Sequence, residues 1–266
     1  MGTVTSNDGT RIAFDRAGAG PAVILVDGAM CYRASGPMGP IATLLAQRYT
    51  VFTYDRRGRG DSTNVQPYAV EREVEDLQAL IAEAGGSALV CGLSSGAALA
   101  LEAAHRGAPI SKLALFEAPF FVDDTRTPLP ADFISRLDQA VASNQRGDAV
   151  SMFMKLVGVP AFFIALMRFL PPWKKLTSVA HTLPYDMQIV SEHQWGRPLS
   201  PTRWAGATMP AMVIDGGKSP VWMRNAAREL AGVLPRARYE TLPGQTHMVQ
   251  AKVLAPALVK FFQGGA

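Results

Sequence analysis

The stretch "SALVCGLSSGAALALEAAHRG", residues 87–107, decides the fold. It opens on a continuous apolar run and turns at Gly92-Leu93-Ser94-Ser95-Gly96. It then continues with helical spacing and stops at Gly107. A short apolar run without alternation reads as a strand buried on both faces. A strand passing through a tight turn into a helix is the context in which G-x-S-x-G carries chemistry. Glycines stand where side chains would collide, and the central serine is held in a strained, exposed conformation. The spacing names Ser94, not Ser95, as the nucleophile. Ser95 then opens the helix, where backbone N–H groups lack partners and the dipole favours an anion. A Gly/Ser loop that merely turns the chain has the same letters. The strand before it and the helix after it favour the chemical reading.

On both sides of this stretch the chain alternates. "PAVILVDG" (21–28), "TVFTYD" (50–55), "KLALFE" (112–117), "PAMVID" (210–215) and "ARYETL" (237–242) read as strands. Helical spacing covers 40–49, 70–85, 97–107, 221–233 and 251–262. Apolar strands alternating with helices predict an α/β fold, a mostly parallel sheet with helices on both faces. At the N-terminus Thr3, Val4 and Thr5 alternate before Asn-Asp-Gly, a strand and hairpin turn leading to the alternating "RIAFDRAG" (11–18). Gly2 and Ser6 also fit a myristoylation pattern, but the hairpin reading accounts for the same residues. Residues 118–208 break the rhythm. They hold no clear strand, only helix-like pieces near 131–146, 148–157, 161–169 and 173–182, and they are rich in Phe, Met, Leu and Trp. The expected organisation is one core from 1–117 and 209–266, interrupted by a helical insertion at 118–208.

Composition narrows the function classes. Of the 266 residues, 48% are hydrophobic and 18% charged, enough to bury a large core and too apolar for disorder. The net charge of +4 is dispersed without a Lys/Arg run, which reads as a solvated, slightly basic surface rather than a nucleic-acid stripe. The two cysteines, Cys31 and Cys91, form no C-x-x-C, so neither a zinc knuckle nor a redox pair is indicated. Cys91 reads as inert core, and Cys31 follows a Gly-containing turn near solvent or the site. "RRGRG" (56–60) lacks the Lys-Ser/Thr of a phosphate loop and reads as a turn, as does the Arg59-Gly60-Asp61 tripeptide within it. The most apolar window, 156–170, contains Pro160 and Arg168 and is too short to span a bilayer. The expectation is a cytoplasmic monomer or homodimer acting on a small molecule. No cofactor, metal, nucleic acid or membrane span is expected.

A serine nucleophile needs a base. Of His105, His181, His193 and His247, only His247, in "LPGQTHMVQ", follows the last strand and precedes the last helix. That puts it at the C-terminal edge of the sheet with Ser94. "KLALFE" raises a separate question, because a buried strand delivers Glu117 to its end and a carboxylate at the edge of a core needs a partner.

Four pieces carry a resemblance: "LVDGAM", "YDRRGRGDS", "GLSSG" and "PGQTH". With the insertion at 118–208, they make the chain resemble the α/β-hydrolase superfamily over nearly its full length. The resemblance implies acyl chemistry, a cap at 118–208, and the chain order nucleophile, acid, histidine. It also implies an oxyanion hole from the N–H groups of Ala29 and Ser95, with Gly28 allowing close approach. Asp27-Gly28 stands where the family has His-Gly, and the donor there is backbone, so the hole can survive. The usual acid position, counted from Gly216, is Ser219, which is no acid. Some dehalogenases and lactone hydrolases carry the acid after the preceding strand, which here is Glu117. Asp215 is the runner-up, with Asp186 and Glu192 as outsiders. A serine nucleophile argues against epoxide hydrolase and dehalogenase chemistry, which use Asp.

The expected reaction is hydrolysis of a carboxylic ester or lactone of an uncharged, largely apolar small molecule through an acyl-enzyme. The pocket residues expected are Met30, Phe120, Phe153, Trp195 and Met248. Phe121, Met154, Phe162, Phe163, Met167 and Trp173 are further apolar candidates from the insertion. A C–C bond hydrolase, a thioesterase or acyltransferase, a hydroxynitrile lyase and a non-catalytic receptor fit the same letters.

Overall fold

A computed structural model describes residues 1–264. The strands are β1 (Gly2–Thr5), β2 (Arg11–Ala17), β3 (Ala22–Val26), β4 (Thr50–Tyr54), β5 (Ala88–Leu93), β6 (Ile110–Phe116), β7 (Ala211–Gly216) and β8 (Ala237–Leu242). They form one sheet in the order β1-β2-β4-β3-β5-β6-β7-β8. β1 and β2 pair antiparallel with Gly2 opposite Phe14, so the N-terminus forms the expected hairpin. Asp8 Oδ1 accepts the Thr10 N–H at 2.9 Å in its turn. β2 joins β4 antiparallel, and from β4 to β8 every pair is parallel.

Ten α-helices accompany the sheet among the described residues: α1 (Met38–Leu45), α2 (Val70–Glu83), α3 (Ser95–His105), α4 (Phe133–Ala142), α5 (Arg146–Leu156), α6 (Ala161–Met167), α7 (Pro172–Ser178), α8 (Leu183–Val190), α9 (Val221–Val233) and α10 (Ala251–Gln263). None is long and apolar enough to cross a membrane.

The alternation within each strand explains why the strands read as unbroken apolar runs. Ile24 and Val26 face one core with Leu77, Leu80 and Ile81 of α2. Val23 and Leu25 face the other with Ile41 of α1 and Leu254 of α10. Helices cover both faces, so neither side of a central strand meets water. The chain leaves β3 toward β4 on one side and returns to β5 on the other, so strand order reverses at β3. The crevice at the carboxyl ends there is where open α/β sheets place ligands. Asp27-Gly28-Ala29 after β3 and Ser94 after β5 meet at this point.

Five helices, α4 to α8, lie between β6 and β7, where the sequence predicts four helical pieces over residues 118–208. The piece expected over 173–182 ends at Ser178 and gives way to a 3₁₀ turn at Ala180–Thr182. The sequence reading did not anticipate α8. Leu183, Pro184, Tyr185, Asp186, Met187, Ile189 and Val190 are all buried, so α8 has no polar face to reveal a period. Its Pro184 sits in the first turn, where no N–H is missed. α8 packs on α3, α4 and α5, tying the insertion to the core beside the turn that holds Ser94.

Candidate active site

Ser94 is the residue between β5 and α3, at φ 55° and ψ −127°. This is a left-handed conformation that costs a non-glycine residue about 1–3 kcal/mol and persists only where the surroundings impose it. The surroundings do so here. The Ser94 N–H donates to Phe116 O at 2.9 Å, holding the turn to the end of β6. A Cβ on Gly92 would run into the carbonyl of Gly96, and one on Gly96 into the carbonyl of Val26. The two glycines let α3 approach β3 and β5 closely enough to press the serine outward.

Glu117 follows β6 directly and is fully buried at φ 48°. Its Oε2 lies 2.7 Å from His247 Nδ1, and its Oε1 accepts the Gly216 N–H at 2.8 Å. With Nδ1–H donating to the carboxylate, His247 Nε2 keeps its lone pair free to accept a proton. The loop that carries His247 turns at Gly244, at φ 74°. His247 and Ser94 line the same cavity of about 490 Å³. Asp215 is occupied differently, since its Oδ2 accepts the Tyr239 hydroxyl at 2.6 Å. β7 and β8 pair Val213 with Tyr239 and Asp215 with Thr241, so Tyr239 is a diagonal neighbour within reach. Ser219 lies in the turn after β7, where its N–H donates to Gly216 O at 2.9 Å. The other histidines are held elsewhere. His105 Nδ1 accepts the Gly206 N–H at 3.3 Å, burial lowers the His181 pKa, and His193 packs edge-on to Phe120 and tilted against Trp204.

The loop after β3 is braced from beneath. Arg59 Nη1 donates to Gly28 O at 2.7 Å and to Cys31 O at 3.2 Å. Arg59 Nη2 and Arg56 Nη1 each sit 2.7 Å from a different oxygen of Asp186 on α8. The Ser95 hydroxyl donates to Asp186 Oδ1 at 2.8 Å. Arg56 also forks onto Glu73 at 2.7 Å, and Arg57 onto Asp76 at 2.7 Å. Arg56, Arg57 and Arg59 are each 1% exposed, which corrects the reading of the charges as a solvated surface. Each guanidinium meets a carboxylate in charge-assisted geometry, the condition under which arginine can be buried. Burial alone would raise the Asp186 carboxyl, but the charges of Arg59 and Arg56 override it and hold the pKa below the ordinary range. Asp186→Asn leaves two guanidinium groups underpaired in the core and lowers stability by about 3–5 kcal/mol. An unfolding midpoint in urea equal to that of the unaltered chain contradicts this.

Asp27 is also buried, with its Oδ1 accepting the Gly28 N–H at 2.9 Å. Burial raises its pKa to about 6, against the pull of the Gly28 N–H and of Arg59. The sign of the consequence follows. Below pH 4 the residue is protonated in both folded and unfolded chains. Between about pH 4 and 6 the folded chain keeps a proton that the unfolded chain has lost, so stability falls as pH rises. The cost is fully present above pH 6 and amounts to about 3 kcal/mol. Asp76, raised to about 6 by burial, shares this window. Asp27→Asn therefore narrows the gap between urea midpoints measured at pH 4 and pH 7. Parallel profiles for the two proteins contradict the assignment. The Cys31 thiol beside Asp27 is pushed up by burial and by that carboxylate, which leaves it no nucleophile. Cys91, in β5, is pushed up to about 12 by burial.

The structure brings Ala29, Ser94, Ser95, Phe153, His247 and Met248 together around the cavity, with Phe121. Gly28 lies beside Ser94, where a Cβ would come 3.1 Å from Ser94 Cβ. Several expected pocket residues lie elsewhere. Phe120 is buried in the core, its ring 5.5 Å from Trp204. Phe121, the next residue, lines the cavity instead. The Phe121 N–H and C=O are held by His193 and Gly196. Met30 packs against the core at φ 59°, and Trp195 is exposed on a separate depression. Met154 and Met167 pack in or against the core, Trp173 lies over Arg168, and Phe162 and Phe163 face outward on α6. The unanticipated cavity residues include Arg126, Gln194 and Trp222, and Asp186, an outsider for the acid, lines the cavity as the partner of Arg56 and Arg59. No local motif marks them, and only the fold brings them to the sheet edge.

The sheet order, the strained serine turn and the long insertion after β6 define one class. The alpha/beta hydrolase family model matches residues 13–257, and the chain belongs to that family. An alpha/beta hydrolase from Sphaerobacter thermophilus DSM 20745 is 51% identical, with a TM-score of 0.90 over 98% of this chain and 100% of that one. The enol-lactonase from Burkholderia xenovorans LB400 is 21% identical, with a TM-score of 0.69 over 99% and 100% of the two chains. The uncharacterized hydrolase YraK of Bacillus subtilis (strain 168) is 36% identical over 98 residues. That match spans 35% of this chain and 35% of the relative's length.

Proposed function

We propose that this member of the alpha/beta hydrolase family cleaves a carboxylic ester or lactone of a largely apolar small molecule through an acyl-enzyme. One observation carries the reading. The buried Glu117 carboxylate sits 2.7 Å from Nδ1 of His247, and His247 shares a cavity with a serine strained at the end of β5. Ser94 Oγ attacks the carbonyl while His247 Nε2 takes its proton. Glu117 holds the imidazole in the tautomer that allows this and stabilises its charged form. The N–H groups of Ala29 and Ser95 receive the developing oxyanion, the charge an enzyme of this kind gains most by stabilising. His247 then gives its proton to the leaving alcohol, activates water, and the acyl group departs as the acid. Residues 118–208 act as a cap whose residues close the cavity over the acyl group. The Burkholderia enol-lactonase, with the same fold, supports the lactone branch.

The acyl intermediate is the testable step. A p-nitrophenyl ester is hydrolysed, and added hydroxylamine diverts part of the product to the hydroxamate while p-nitrophenol release continues. If a panel of p-nitrophenyl esters and five- to seven-membered lactones shows no turnover, or if hydroxylamine captures no acyl group, the reading is wrong.

A further inference from the structure

Apart from Ser94, Ser95, Asp186, Gln194 and His247, the cavity wall is built largely from apolar side chains, including Phe121, Phe153, Leu156, Trp222 and Met223. One cation interrupts it. Arg126, in the loop between β6 and α4, is half-buried and lines this cavity. Its guanidinium lies 5.3 Å from the centre of the Phe121 ring and 4.8 Å from that of Trp222. Its one acceptor among the described residues is the carbonyl of Leu156, which leaves most of its five donors unused.

The contrast with the other interior arginines is informative. Arg56, Arg57 and Arg59 each meet a carboxylate at 2.7 Å, whereas no ion pair among the described residues includes Arg126. The acidic group that shares the cavity, Asp186, is already held by Arg56 and Arg59. Asp123, three residues upstream, accepts from Asn225 and Thr125 instead. Burial alone shifts the Arg126 pKa, downward, with no carboxylate acting on it. Placing a cation against apolar walls without an anion is unfavourable. Contact with the Phe121 and Trp222 rings, which stand at 81° to each other, offsets part of that cost. A planar fork with free donors matches a planar group with two oxygens, which is the geometry of a carboxylate. A phosphate dianion would call for further cations, and this cavity offers no second unpaired one among the described residues.

We propose that Arg126 is a specificity-determining residue that binds a carboxylate of the substrate, so that the cavity takes a small ester or lactone carrying a second, anionic carboxylate. The inference rests on the reading of Ser94 and His247 as an acyl-transfer site, because the scissile carbonyl occupies that end of the cavity. It replaces the uncharged substrate expected from the composition of the insertion. The rest of the wall requires the part between the two groups to be apolar.

The test pairs catalysis with binding. Mono-p-nitrophenyl adipate and its methyl-capped, neutral form differ only in the charge at the far end. The unaltered enzyme shows at least a tenfold higher kcat/KM on the free acid. Arg126→Gln reduces that preference by tenfold or more, mainly through KM, and Arg126→Lys restores part of it. An equal loss on both esters means that Arg126 only shapes the cavity, and overturns the proposal. Calorimetric titration of the Ser94→Ala protein with monomethyl glutarate, adipate and suberate reads the same contact without turnover. Binding that weakens at least tenfold when Arg126→Gln is added supports it. Binding of this kind without ester turnover keeps the carboxylate site and removes the hydrolase reading. Turnover with no charge preference, and binding indifferent to Arg126, does the reverse. Absence of both turnover and binding contradicts both.

Discussion

Ser94→Ala lowers kcat on a p-nitrophenyl ester by about 10⁶-fold, to near the background rate, while the protein remains folded. The size follows from the division of labour in the site. On the proposed mechanism His247 has no proton to take without the hydroxyl and Glu117 no imidazolium to stabilise, so one substitution removes the contribution of all three. What survives is binding and the oxyanion donors, a residue of catalysis that no longer involves an acyl-enzyme. The fold is indifferent to the change. Alanine keeps the Cβ and adopts the same strained φ of 55°, which the Ser94 N–H bond to Phe116 O still imposes. Circular dichroism and the urea midpoint therefore stay close to those of the unaltered protein. A variant that retains even a hundredth of the activity places the nucleophile elsewhere.

Glu117→Gln lowers kcat by about 10⁴-fold, and Asp215→Asn by less than tenfold. Glutamine preserves the shape of Glu117 and can still accept the Gly216 N–H, so the buried site keeps its packing. What changes is the partner of His247. An amide N–H facing Nδ1 favours the tautomer with its proton on Nε2, and the imidazole can then no longer act as a base toward Ser94. Asp215 serves a different neighbour, the Tyr239 hydroxyl at 2.6 Å, and its replacement is felt between β7 and β8 rather than at the histidine. Steady-state kinetics on the two variants separate them. A large loss in Asp215→Asn with a small one in Glu117→Gln moves the acid to the end of β7.

The two variants also mark how far the sequence could be read. The central strands were legible because both faces of each are buried, so Val23 and Ile24 are apolar for two different cores. The serine turn was legible because Gly92 and Gly96 have no substitutes at such close approach. His247 was legible as a candidate from its place in the loop after the last strand, whereas Glu117 was set ahead of Asp215 only by the resemblance to relatives that carry the acid after the preceding strand. The arginine turn was not legible in the same way. Arginine is a surface residue unless an acid meets it, and one of the two acids that meet Arg56, Asp186, lies 130 residues away on a helix with no polar face. Phe120 and Phe121 show the same limit at shorter range. The pair was visible as apolar, but which ring faces the cavity depends on the pairing of Phe121 with His193 and Gly196, far along the chain.

Covalent capture tests the central claim most directly. Incubation with a fluorophosphonate, followed by intact mass and peptide mapping, gives one adduct per chain, and it lies on Ser94. Glu117→Gln slows its formation, because the hydroxyl is then poorly activated. An unlabelled chain, or an adduct on another residue, contradicts the account of Ser94 as a nucleophile activated by His247 and Glu117.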